Sequence, residues 1–107
     1  MRIIITETQK ELLDYNRLSP CIKRRLDLPL LDEKVLTYVD RAVKFGSVST
    51  VINLTIDYLY SMVSDDVEVC WGYDESYYQF STSVKRFLTS RYEDQIIDIY
   101  DEFYRNP

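Results

Sequence analysis

Histidine is missing from this chain of 107 residues. Its absence removes the commonest general base, the commonest metal ligand and the side chain that titrates nearest neutral pH, and it makes a Ser-His-Asp triad impossible. Glycine and proline are scarce, at 2 and 3, which favours helices over a many-turned sandwich. Neither Gly46 nor Gly72 belongs to a GxGxxG or GxxxxGK[ST] pattern, so the nucleotide loops are excluded. The cysteines, Cys21 and Cys70, form no CxxC pair and hence no close-spaced redox or zinc motif. They are expected as reduced, buried thiols of a cytoplasmic protein. No stretch approaches the ~20 apolar residues of a membrane span. The apolar run Ile3–Ile5 is also too short for a signal-peptide core. The expectation is a soluble chain with no membrane partner, no cofactor and no metal.

Tyrosine, by contrast, accounts for 10 residues. Each supplies a large apolar ring whose hydroxyl can stay wet, a combination enriched at protein interfaces. Hydrophobic and charged residues, at 46% and 29%, match ordinary globular usage, so residues 1–107 read as a single domain able to close its own core. The net charge of −5 is unevenly spread: residues 1–46 carry nine Lys+Arg against seven Asp+Glu, and residues 47–107 carry four against eleven. An acidic second half argues against direct nucleic-acid binding, which needs positive potential at the contact.

Along the chain, the β-branched run 2–6 reads as a strand that ends in the capping box Thr6/Gln9 and feeds a helix over 7–18. Ser19-Pro20 starts a short basic helix over 20–26, and Pro29 makes 27–31 a connector. From Asp32, the spacing of Val35, Val39, Ala42 and Val43 predicts an amphipathic helix over 32–45, stopped by Gly46. Residues 48–63 are apolar round most of a helical circumference and predict a central helix. Val67, Val69, Trp71 and Tyr73 alternate with less apolar residues and predict a strand over 67–73, paired with 77–81. A last helix follows over 82–105. The fold class so read is α+β, with about five helices and a small antiparallel sheet from 2–6, 67–73 and 77–81.

The candidate binding residues lie in the second half. Asp94, Asp98, Asp101 and Glu102 fall on one arc of the last helix and would suit a basic partner; the alternative is the solvated face of an amphipathic helix. Trp71, Tyr77 and Tyr78 concentrate aromatic surface in the expected hairpin, suited to a protein interface; the alternative is that these rings pack the core. Asp65, Asp66 and Glu68 lack the spacing of a calcium loop, and Lys23-Arg24-Arg25 reads as a solvent-facing cluster paired with acids.

The opening Ile3-Ile4-Ile5-Thr6-Glu7-Thr8-Gln9, with Leu12-Leu13 and then Ile22-Lys23-Arg24-Arg25-Leu26, resembles the start of uncharacterised small proteins of tailed bacteriophages. The resemblance covers the first quarter of the chain and implies a viral accessory or virion-associated context, the host cytoplasm being the expected compartment. These observations predict a non-enzymatic interaction protein that meets a basic or nucleic-acid-binding protein through an acidic, tyrosine-rich surface. The alternatives are a structural subunit forming a homo-oligomer or part of a virion, and a carboxylate-based enzyme.

Overall fold

The computed structural model describes residues 4–72 and 76–105. Among these, the chain forms α1 (Ile4–Asn16), α2 (Pro20–Arg25), α3 (Leu28–Ala42), a 3-10 turn (Val43–Phe45), α4 (Val48–Cys70) and α5 (Tyr77–Arg105), with no strand. The expected α+β class is therefore corrected to an all-helical one. Residues 4–6 of the first expected strand belong to α1, and Arg2 and Ile3 lie outside the described residues. Residues 67–70 end α4, Trp71 and Gly72 connect, Tyr73 lies outside the described residues, and 77–81 open α5.

The correction has a physical cause. Val63, Val67 and Trp71 are spaced by four, so they continue the buried row of α4 as readily as they alternate in a strand. Helix formation buries Val63 and Val67 and leaves Val69 62% exposed. On α5, Phe80, Val84 and Leu88 form another buried row at the same spacing. Ser76 starts that helix: its hydroxyl accepts from Gln79 N at 3.4 Å, and its carbonyl accepts from Phe80 N at 3.0 Å.

Other boundaries follow capping chemistry. Ser19 Oγ accepts from Ile22 N at 3.4 Å and Ser47 Oγ from Thr50 N at 3.3 Å, fixing the starts of α2 and α4. Asp27, rather than Asp32, caps α3, accepting from Leu30 N at 3.2 Å. The expected connector 27–31 is thus mostly helical, because Pro29 falls in the first turn, where its missing N–H costs nothing. Gly46, at φ 157°, makes the turn into α4 in a conformation that side chains rarely adopt.

Contacts between helices give their directions. Lys85 lies over the Tyr60 ring, and Ile56 and Ile52 face Thr89 and Glu93, so α4 and α5 are antiparallel. Glu11 meets Arg91 and Tyr15 meets Phe87, so α1 also runs antiparallel to α5. Asp32 meets Arg91 and Val43 meets Tyr104, so α3 runs parallel to it. The result is an up-down-up-down bundle of α1, α3, α4 and α5 in which α5 packs on the other three. At 29 residues, α5 is about 43 Å long by the usual rise, nearly the 49 Å length of the molecule. The core is apolar: Leu31, Val35 and Val39 of α3 meet Val51, Leu59 and Val67 of α4 and Phe87, Leu88 and Ile96 of α5.

Cys21 and Cys70 are joined in a disulfide, with their Cα atoms 5.6 Å apart. It ties α2 to the end of α4 across a sequence separation of 49 residues, and it overturns the expectation of two reduced thiols. Their distance in sequence hid the pairing; the bundle brings the two helix segments together.

Candidate interaction surface

Two polar features stand out on α5. The first lies at its middle, where α1 and α3 converge on Arg91. The guanidinium donates from Nε and Nη2 to Asp32 at 3.1 and 2.9 Å, a bidentate pairing, and from Nη1 to Glu11 at 2.7 Å. The Tyr92 hydroxyl donates to Asp32 at 2.6 Å and accepts from Arg91 Nε at 3.2 Å. Next to this group Ser90 donates to Asp14, a carboxylate only 5% exposed, and Arg17 lies 3.9 Å from the same side chain. One cation thus bridges carboxylates of two helices.

Electrostatics holds these groups in fixed charge states. Burial alone would raise the Asp32 carboxyl, but hydrogen bonds from Arg91 and Tyr92 and the Arg91 charge outweigh it, leaving its pKa below the ordinary value. Hydrogen bonding to Asp32 pushes Arg91 upward despite its burial. Burial and the adjacent Asp32 push the Tyr92 hydroxyl well above its usual range. At neutral pH the cluster holds Asp32 as carboxylate, Arg91 as cation and Tyr92 as phenol. A proton-transfer acid needs a raised carboxyl instead, so Asp32 fits a fastener between helices rather than acid catalysis. Sequence reasoning missed the cluster because its members lie up to 80 residues apart; Arg91 beside Tyr92 on an otherwise apolar arc was the available signal. A hollow of about 270 Å³ lined by Leu12, Tyr15, Leu28 and Phe87 adjoins the Glu11–Arg91 pair.

The second feature is the C-terminal end of α5. Asp98, Asp101, Glu102 and Arg105 line one shallow hollow of about 350 Å³. Asp94 is half-buried, whereas Asp98, Asp101 and Glu102 are exposed, and neither Asp94 nor Asp98 is without an interaction partner. Aromatic rings flank the acids. Tyr100 and Tyr104 donate their hydroxyls to the carbonyls of Gly46 and Val43, at 3.1 and 2.9 Å, which pins the end of α5 to the 3-10 turn. That turn carries Phe45, 70% exposed, and beside it Tyr104 and Phe103 pack edge to face while remaining 53% and 39% exposed. Phe45, Phe103 and Tyr104 were not singled out from sequence as contact residues; the last two lie on the apolar arc of α5 yet stay exposed.

The aromatics expected in a hairpin lie at the opposite pole. Trp71, half-buried, meets Tyr77 edge to face with centroids 5.4 Å apart. Tyr78 is 76% exposed. Burial and the neighbouring Tyr77 raise the Tyr60 hydroxyl. Because α5 separates the poles, Trp71, Tyr77 and Tyr78 do not join the acidic residues in one site. The basic cluster of α2 is partly neutralised: Arg25 pairs with Asp66 at 3.2 Å, and Lys23 lies over the Tyr15 ring.

Among the described residues, no group of three or more Cys, Asp or Glu is placed to hold a metal ion, and no helix is long and apolar enough to cross a membrane. Comparison with protein-family models, with curated proteins and with solved structures finds no match to this chain.

Proposed function

We propose that this chain is a non-enzymatic interaction protein whose contact surface is the C-terminal end of α5 together with the 3-10 turn. The observation that carries this reading is that exposed Phe103 and Tyr104 follow exposed Asp101 and Glu102 in sequence on the last turns of α5, with exposed Phe45 on the 3-10 turn to which Tyr104 is bonded. Rings provide contact area and carboxylates provide sign, a pairing suited to a basic protein surface rich in arginine. The Tyr104 hydroxyl bond holds that ring in place before contact, which lowers its ordering cost on binding. A basic nucleic-acid-binding protein is the partner class that fits this chemistry.

The bacteriophage resemblance of the first quarter supports an accessory role in a virus. The disulfide favours an oxidising setting, or the surface of a virion, over a reducing cytoplasm. A homo-oligomeric assembly subunit is the second reading, favoured by Leu12 and Leu13, which α1 leaves exposed. The test is capture from a lysate of the natural host with the wild-type chain and with Asp101→Lys/Glu102→Lys as paired baits. A stoichiometric basic protein retained by the first bait and lost by the second supports the proposal; equal retention overturns it. The solution mass of the wild-type chain decides the second reading, a monomer excluding self-assembly.

A further inference from the structure

Helix α2 has little to hold it in place by itself. Its six residues are too few for a stable isolated helix. It packs chiefly against α4, and its single buried side chain, Ile22, closes the end of the core beside Phe80 and Val84 of α5. A hollow of about 100 Å³ already lies along this seam. The Arg25–Asp66 pair is largely solvent-facing, and exposed ion pairs contribute little. Lys23 also lies over the Tyr15 ring of α1, and the covalent tie is the Cys21–Cys70 disulfide, which joins α2 to the last residue of α4. Both cysteines are half-buried rather than sealed.

We propose that Cys21–Cys70 is a site of thiol–disulfide exchange with a dithiol reductant, and that its redox state sets whether α2 covers the end of the core. One reductant thiolate attacks a sulfur of the bridge and forms a mixed disulfide, releasing the other cysteine as a thiolate. The second reductant thiolate then attacks the reductant's own sulfur in the mixed disulfide, breaking that bond and releasing the remaining cysteine as a thiolate. The reductant leaves as a disulfide, and the chain, having gained two electrons and two protons, holds two thiols. Freed of its tie, α2 loosens and Ile22 withdraws, exposing Phe80 and Val84 close to the start of α5. Helices α3, α4 and the middle of α5 keep their own apolar contacts and stay folded.

The experiment is hydrogen exchange on the full-length chain across a titration with a small dithiol, read with thiol alkylation and the fluorescence of Trp71, the single tryptophan, which adjoins Cys70. Expected are no alkylatable thiols before reduction and two after it, with Trp71 emission rising as the neighbouring disulfide quencher is lost. Amide protection should fall about tenfold or more over residues 20–26 while that of the middle of α5 is retained. Cys21→Ser/Cys70→Ser should reproduce the reduced pattern and ignore the dithiol. Two alkylatable thiols before reduction, unchanged protection after it, equal loss in every helix, or a double variant that does not fold would each overturn the proposal.

Discussion

The two halves of α5 are built for different purposes. From Phe80 to Tyr92 the helix buries side chains turn after turn against α1, α3 and α4, whereas among the described residues none beyond Ile96 is buried. The second half instead carries exposed acids on one side and aromatic rings on another, attached to the bundle through the hydroxyls of Tyr100 and Tyr104. One continuous helix thus serves as core at one end and as displayed surface at the other. The difference does not lie in the amount of apolar sequence, since Ile97, Ile99, Tyr100, Phe103 and Tyr104 are as apolar as the residues before them. It lies in the kind of contact: α1 meets α5 around Phe87 to Arg91 through side-chain packing and an ion pair, whereas at the far end the ties are the Tyr100 and Tyr104 hydroxyls on the 3-10 turn and Gly46.

The contrast is broken most severely in the buried half. Phe87→Ala should cost about 3–5 kcal/mol through lost transfer energy and the cavity it leaves, read as a fall in the urea midpoint at unchanged slope. Ile56→Ala, facing the same half of α5 from α4, should cost about 2–5 kcal/mol, and exposed Asp57→Ala far less. Equal small losses at Ile56 and Asp57 would mean that α4 presents a different face to the core.

The Arg91 cluster lies between the two halves and should give intermediate effects. Arg91→Ala removes charge-assisted hydrogen bonds to two helices and should cost about 1.5–3 kcal/mol by the same midpoint measurement. Its acid dependence has a definite sign. Because the folded-state pKa of Asp32 is lowered from 3.8, its contribution is present in full above that value and is lost as pH falls through the folded-state pKa. Stability measured from pH 5 downward should therefore decline less steeply in Asp32→Asn than in the wild type; parallel curves would remove Asp32 from the account.

Much of this contrast could be read from the residues, and the parts that could not have particular causes. Ser19 and Gly46 marked helix ends correctly because capping depends on local chemistry. Val67 to Tyr73 misled because four alternating apolar residues fit a period of two, while the row Val63–Val67–Trp71 fits the helix, and burial of Val67 decides for the helix. The acidic arc of α5 was visible in its spacing, but the half-burial of Asp94 was not. Arg91 with Glu11 and Asp32, and Cys21 with Cys70, are tertiary pairings that no local pattern encodes.

At the exposed end the effects on stability should be smallest. Tyr104→Phe loses one part-buried bond to the Val43 carbonyl and should cost about 0.5–1.5 kcal/mol. Asp101→Lys/Glu102→Lys should shift stability by about 0.5 kcal/mol or less per position. The most direct test of the contact surface is the association rate of the captured basic partner with the wild type and with this double variant, at low and at high salt. Reversal is expected to slow association most strongly at low salt, while the folded state is retained, because long-range attraction guides the encounter. Rates that ignore both the reversal and the salt would contradict it.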